Sequence, residues 1–300
     1  MNKNKFPMWK TLEMDLHSNC NRDCKFCPRY FDRSGIRKDK NGKNVHIQTP
    51  TDKVYAVIDE VCEMGYKGVI NFHRLSEALL DKRYLKFVKY AHSKGLEICE
   101  NTNGDVLKRN SKLCTELDGI IFELIIGLYD YKTYKEKLAQ IEIWKSRFSK
   151  TSLRFSTPLE TPNIRQGSEI YLTKKKDPRI IDEPCITRLN ALLIRYDGNV
   201  SLCCQDDMCT FNLGNAFEQS IEEIWWSDKH IEIIDNVRKP GGRKKYELCS
   251  KCFNHIGIPG KNNFIVYVKD KMLIIRDKLW GKGIIGLKQY NSISDFVNSI

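Results

Sequence analysis

The sequence predicts an α/β protein: an incomplete parallel β/α barrel followed by a small C-terminal domain of a β-hairpin and helices. Three observations predict it. Short apolar runs alternate with segments of helical period from position 11 to about 157. Glycines and polar turns punctuate that alternation, at Gly65, Gly95 and Thr102-Asn103-Gly104. After Cys185 the pattern changes to two short runs joined by Asp197-Gly198, a hairpin signal.

The elements follow in order. Residues 11–16 alternate weakly and read as the first strand. Thr51 opens a helix to about Met64, with Val54, Val57, Ile58 and Val61 on one face and Gly65 ending it. A strand covers 68–72, and a helix over 81–94 places Tyr84, Leu85, Phe87, Val88 and Ala91 on its apolar side. A strand over 96–100, a helix over 106–117, a buried strand over 120–126, a helix over 131–148 and a strand over 153–157 continue the series. Five strands before Pro158 suit an open barrel, because a closed eight-unit barrel typically takes ~250 residues. Residues 158–184 hold prolines and a lysine run and read as a linker with some strand. The hairpin spans 192–203, helices are expected over 220–226 and 228–237, and Pro240-Gly241-Gly242 breaks the chain before Cys249. The expected division is 1–180 for the barrel, 181–256 for the second domain and 257–300 for a basic extension.

Composition narrows the class. With 41% hydrophobic residues the 300-residue chain has enough apolar surface to fold, which excludes a disordered protein. No apolar run approaches the ~18 residues of a membrane helix. The N-terminus has charge but no apolar core, so it is not a secretory signal, and the expected compartment is the cytoplasm. The net charge of +12 reads as a lysine-rich solvated surface rather than a nucleic-acid site, since no basic segment is interleaved with aromatics. The densest basic stretches, 29–43 and 174–176, read as loops. An anionic substrate or an acidic electron carrier remains compatible.

Twelve cysteines in a reducing compartment point to metal binding or catalysis rather than disulfides. Cys62, Cys99 and Cys114 stand alone in apolar surroundings and read as core residues. Cys20, Cys24 and Cys27 lie on one loop after a strand. Three thiolates are too few to close a structural zinc site, which takes four ligands. They suit a four-iron cluster held at three corners, with one iron open. His17 could instead complete a zinc site.

The Cys20-x3-Cys24-x2-Cys27 loop, with Phe26 before its last cysteine, resembles the radical S-adenosylmethionine (SAM) superfamily. The resemblance implies that the open iron binds SAM, whose reductive cleavage yields a 5′-deoxyadenosyl radical that abstracts hydrogen from substrate. It implies a TIM-like partial barrel and a flavodoxin- or ferredoxin-type electron donor. It places Glu77 at the SAM amino group, although Ser76 and Ala78 replace residues of the usual motif. Asn103 falls near SAM, and Glu123 falls where a serine often meets the ribose. His73 and Arg74, at the end of the second strand, become candidate substrate contacts.

Cys185-x12-Gly198-x4-Cys203, with Cys249-x2-Cys252 beyond, supplies four more thiolates. By chemistry alone they suit zinc or a fully ligated iron–sulfur cluster. The pattern, together with Leu213-Gly214-Asn215 and Ser220 to Trp225, is similar to the SPASM and twitch extensions of radical SAM enzymes. No cysteine follows Cys252, so the count fits the twitch form with one auxiliary four-iron cluster on these four residues. Cys204 and Cys209 are left over. Each reads either as a buried residue or as a hydrogen donor to a substrate radical, as in related epimerases.

The expected function is hydrogen abstraction from a hydroxylated small molecule such as a sugar, nucleotide sugar or cyclitol, ending in dehydrogenation or epimerisation. Peptide modification is the second expectation, lowered because the first strand starts near Thr11 and leaves no room for a leader-binding domain. A non-catalytic module with two zinc sites is the third.

Overall fold

In the computed structural model, residues 7–32, 35–156, 182, 184–185 and 190–252 are described, with single positions at 272, 275 and 279. Most of the expected linker and the whole of the expected tail except those three positions lie outside them. The described residues from 10 to 156 and from 191 to 224 form one compact unit, and those at 7–9, 182–190 and 225–252 form another.

The first unit is built on a single eight-stranded sheet. The strands β1 (Thr11–Met14), β2 (Val69–Asn71), β3 (Glu97–Thr102), β4 (Ile121–Gly127) and β5 (Ser152–Ser156) are parallel neighbours in chain order. β6 (Ala191–Ile194) returns to the other side of β1 and runs parallel to it, with Thr11 opposite Ala191 and Met14 opposite Ile194. β7 (Asn199–Ser201) and β8 (Asn212–Asn215) extend the sheet antiparallel. The order 5-4-3-2-1-6-7-8 does not close, which is the open barrel expected. All four residues of β6 are buried, as a strand between two neighbours and covered on both faces requires.

Helices α1 (Pro28–Phe31), α2 (Thr51–Glu63), α3 (Tyr84–Ser93), α4 (Asp105–Arg109), α5 (Ser111–Leu117) and α6 (Tyr134–Arg147) join the parallel strands. α2 buries Val54, Val57, Ile58 and Val61, and α3 buries Tyr84, Phe87, Val88 and Ala91, the same helical spacing in each. The single helix expected over 106–117 is two. Asn110 interrupts it and caps α5 by accepting from the Leu113 N–H at 3.0 Å, a role asparagine fills better than a helix interior. α6 starts at Tyr134 because Thr133 and Glu136 form a capping box ahead of it.

The hairpin turn explains Gly198. Its φ is +84°, and a Cβ there would stand 2.3 Å from Asn215 Oδ1 and 2.5 Å from the Phe217 ring. Asn215 folds onto this turn, donating to the Asp197 carbonyl at 3.0 Å, while the Ala216 N–H donates to the Gly198 carbonyl at 2.8 Å.

The basic stretch 29–43 is mostly loop, as expected, and Lys40 and Lys43 are exposed, but part of its charge is not solvated. Arg29, Arg37 and Lys38 are buried. Arg37 donates to the Asp207 carbonyl at 2.8 Å, and Lys38 pairs with Asp23 inside the cysteine loop. Their charge is spent on partners that sequence separation conceals.

Helix α7 (Ile221–Trp225) spans the point where the chain passes between units, and the second unit holds α8 (Asp228–Val237) and α9 (Glu247–Ser250). Trp9 packs edge-on against Trp225 with ring centres 5.2 Å apart, and the Trp225 Nε1–H donates to the Pro7 carbonyl at 3.0 Å. Among the described residues no helix is long and apolar enough to cross a membrane.

Candidate active site at the cysteine loop

The site begins where β1 ends. Asp15 is buried, and its Oδ1 accepts from the Arg74 N–H at 3.0 Å and the Ser76 hydroxyl at 2.8 Å. This binds the segment after β2 to the end of β1. The chain then turns through Cys20, Cys24 and Cys27. The Arg22 N–H points at Cys20 Sγ at 3.5 Å, the Cys27 N–H donates to the Cys24 carbonyl at 2.9 Å, and Cys27 precedes α1 with Pro28 in its first turn. Arg22 anchors the loop with forked bonds to Asp105, at 2.6 and 2.7 Å, and Asp130, at 2.7 and 2.8 Å. Bidentate guanidinium–carboxylate pairs are strong and fix orientation.

The three thiols line one cavity of about 400 Å³ together with Phe26, His73, Arg74, Ser76, Glu77 and Asn103. Among the further lining residues that the sequence reading did not single out are Asn101, Tyr129 and Ser156. Their common signal is position, at or just beyond the C-terminal ends of β3, β4 and β5, where barrel sites collect. Tyr129 meets Phe26 edge-to-face at 5.1 Å.

Glu77 is buried, with one carboxylate oxygen accepting from the Thr102 hydroxyl at 2.7 Å and the other from the Asn103 N–H at 2.8 Å. Burial outweighs those donors and pushes its carboxyl up to about 7. Asn103 is held in turn, donating to Asn21 at 2.9 Å and accepting from the Asp105 N–H at 3.0 Å. Gly104 makes the turn at φ +79°.

Several expected residues stand elsewhere. Glu123 pairs with Arg154 at 3.0 Å and is not among the residues lining the cavity. It lies on the β4 strand itself, short of the strand end that feeds the cavity. Cys204 is buried against Ala191 and Leu193. Cys209 adopts a left-handed φ of 55° in a loop wrapped on Asp206, whose carboxylate accepts from the Thr210 and Phe211 N–H groups at 2.6 and 3.0 Å. His17 is buried and stacks on His46, its Nδ1 accepting from the Asn19 N–H at 3.0 Å; it does not join the cysteines around the cavity.

Of the second cysteine set, Cys203 lies in the first unit just after β7, its carbonyl accepting from the Asp206 N–H at 3.0 Å. Cys185, Cys249 and Cys252 lie in the other unit. There the Cys185 N–H donates to the Val237 carbonyl at 2.7 Å, and Arg243 donates to the Cys252 carbonyl at 2.7 Å.

The donor set of the first loop fits an iron–sulfur cluster. Burial, with Cys27 and Cys20 beside it, pushes Cys24 up to about 11, so it is no activated nucleophile, and a metal cation is what would ionise it. Among the described residues no three His, Cys, Asp or Glu side chains converge on a point that one ion would fill. Three thiols ringing a shared cavity suit several irons better than one zinc.

A model of the SPASM family, an iron–sulfur cluster-binding domain, matches residues 185–253. With the open parallel sheet and the three-cysteine loop, the match makes this chain similar to radical SAM enzymes that carry a C-terminal SPASM/twitch-type iron–sulfur domain. That domain supports iron–sulfur binding by residues 185–253, and the similar proteins use SAM. The chain is similar to the S-adenosyl-L-methionine-dependent 2-deoxy-scyllo-inosamine dehydrogenase of Niallia circulans, 25% identical over 263 residues, 82% of this chain and 94% of that one. The crystal structure of BtrN in complex with AdoMet and 2-DOIA shares the fold with a TM-score of 0.61 at 21% identity, covering 82% of this chain and 94% of that one. Native anSMEcpe with bound AdoMet shares it at 0.51 and 13% identity, covering 97% and 99%.

Proposed function

We propose that the enzyme dehydrogenates a secondary alcohol on a small hydroxylated molecule, a sugar or aminocyclitol, by hydrogen-atom abstraction. Cys20, Cys24 and Cys27 hold the cluster that receives SAM, and Cys185, Cys203, Cys249 and Cys252 hold the auxiliary one. When bound, SAM and its cluster supply a carbon radical able to take hydrogen from an unactivated C–H bond.

The chain's own residues do the remaining work. Glu77 receives the SAM amino group; an ammonium beside it offsets the burial that raises its carboxyl and restores the anion. Ser76 and Asn103 keep that segment in place through Asp15 and Asn21. Phe26 and Tyr129 wall the cavity and exclude water from the reacting carbon. His73 and Arg74 offer polar contacts to substrate hydroxyls.

The observation that carries the reading is the shared cavity of three thiols, the Glu77 carboxylate and these strand-end polar groups. Dehydrogenation is favoured over epimerisation because Cys204 packs into the sheet and Cys209 is not among the lining residues, which leaves neither thiol facing the cavity as a hydrogen donor. The similarity to a 2-deoxy-scyllo-inosamine dehydrogenase makes aminocyclitols the first class to test. A flavodoxin- or ferredoxin-type protein would deliver electrons, and the net charge of +12 suits an acidic one.

The test is an anaerobic reaction of reconstituted enzyme with SAM, dithionite and 2-deoxy-scyllo-inosamine. Iron and sulfide are quantified on the same sample. The expected result is 5′-deoxyadenosine and a ketone in similar amounts, both abolished by Cys24→Ala. Zinc in place of iron, or intact SAM, would refute the radical reading. 5′-Deoxyadenosine without ketone from any cyclitol would refute the substrate class alone.

A further inference from the structure

We propose that His73, backed by the buried Glu100, takes the hydroxyl proton of the substrate as the alcohol becomes a ketone. This deepens the dehydrogenase reading and rests on it. His73 follows β2 and Glu100 lies on β3, and the parallel pairing of these strands sets the two side by side. The Glu100 side chain is 0% exposed, whereas the His73 side chain is 13% exposed and borders the cavity. One edge of the ring is therefore sealed and the other is open.

The partners assign the roles. Glu100 Oε2 accepts from the Phe72 N–H at 3.1 Å, and Oε1 accepts from the Asn101 N–H at 3.1 Å while pairing with His73 Nδ1. A carboxylate buried among two amides and an imidazole makes Nδ1 the donor, which leaves the lone pair on Nε2. The Asn101 side-chain amide lies 2.8 Å from Nε2, and Asn101 also lines the cavity. When Nε2 gains a proton, that amide can turn to present its oxygen instead, so both protonation states keep a partner. Carboxylate and imidazolium then form a neutral buried pair, better matched than a lone buried anion.

The charges around the ring agree with this role. Burial lowers the imidazole, but Glu100 foremost, with Glu13 of β1 and Glu77, raises it above its ordinary range overall. The Tyr84 hydroxyl of α3 approaches the same Glu100 carboxylate, and Arg74, next in the chain, turns its guanidinium to the Ser201 hydroxyl at 3.0 Å.

The step balances. The carbinol C–H bond breaks and its hydrogen leaves as an atom, abstracted by the radical. The O–H bond breaks and its proton goes to Nε2. The remaining electron needs a one-electron oxidant, which the auxiliary four-iron cluster would supply, and a C=O bond forms. His73 then returns the proton to water.

Two measurements test it. The first uses carbinol-deuterated 2-deoxy-scyllo-inosamine. In His73→Asn, deuterium should still reach 5′-deoxyadenosine, while ketone formation falls roughly hundredfold and a substrate radical accumulates in the electron paramagnetic resonance spectrum. The second needs no turnover. Diethyl pyrocarbonate acylates neutral imidazole, and mass spectrometry of the His73 peptide in holoenzyme across pH gives its protonation midpoint. That midpoint should lie above that of an ordinary histidine, ~6.5, and drop in the isosteric Glu100→Gln. Full ketone yield from His73→Asn, a midpoint at or below ~6.5, or one indifferent to Glu100→Gln would overturn the inference. Absence of deuterium transfer in the unsubstituted enzyme would strike the substrate reading instead, and the acylation midpoint decides the dyad by itself.

Discussion

Glu77 has both oxygens occupied by Thr102 and Asn103 and still titrates near neutrality, at about 7, because burial opposes its charge. A carboxyl raised on folding stabilises the protein below its unfolded value, ~4.5, and that contribution is lost as pH climbs through the folded value. The loss amounts to roughly 3 kcal/mol in full. Without SAM, the melting midpoint of the unsubstituted protein should therefore fall relative to Glu77→Gln between pH 5 and 8; a constant difference across that range would contradict it. Arg22 acts differently, as a strap on the loop. Its side chain is 16% exposed and its bonds to Asp105 and Asp130 bridge long stretches of chain. Because both pairs are partly solvated, Arg22→Ala should cost about 1–2 kcal/mol. The sharper readout is iron at the SAM site, which a chelator should strip several-fold faster, with Arg22→Lys only a partial rescue because lysine lacks the planar fork. Cys20, Cys24, Cys27, Phe26, Glu77 and Asn103, which line one cavity, were named from the sequence by a resemblance of motif, and Ser76 beside them departs from that motif. Arg22, Asn101 and Tyr129 were not so named, because their roles depend on partners brought in from other strands.

The elements themselves were legible wherever a helical face of apolar residues met a turn signal, as in α2 and α3. Reading failed where a polar side chain took a local backbone job. Asn110 split one expected helix into α4 and α5, and β8 was not read as a strand because its Asn-Leu-Gly-Asn sequence has poor strand propensity. β8 exists because Asn215 ties it to the Gly198 turn. The turn in turn sets the chain leading to Cys203. Gly198→Ala would combine a left-handed φ with a clash against Asn215 and Phe217. It should destabilise by at least ~2 kcal/mol. It should also remove roughly four irons per chain, those of the auxiliary cluster, while the SAM-site cluster persists. Unchanged iron content would show that the turn does not shape the auxiliary site.

On the scale of the whole molecule, charge and topology reach furthest. An excess of 12 positive charges would favour encounter with the acidic electron donor proposed above. Reduction by an acidic flavodoxin should slow several-fold as salt rises from about 0.05 to 0.5 M, and reduction by a photoreduced deazaflavin should slow less; equal salt dependence would argue against electrostatic docking. Part of that charge is interior, since Arg29, Arg37 and Lys38 are buried around the cysteine loop. By itself the sequence determined the α/β class, the five leading strands, the hairpin with its Asp-Gly turn and the two sets of cysteines. These rest on local periodicity and on fixed ligand spacing, which a linear chain records directly. Only the tertiary structure decided that β6 lies beside β1, so that the hairpin continues the barrel sheet. It alone set Glu100 behind His73 and turned Arg29, Arg37 and Lys38 inward. Such pairings join residues far apart in the chain. They are chosen by which strands can bury both faces and which buried charges can find a partner, and neither condition leaves a periodic mark in the sequence.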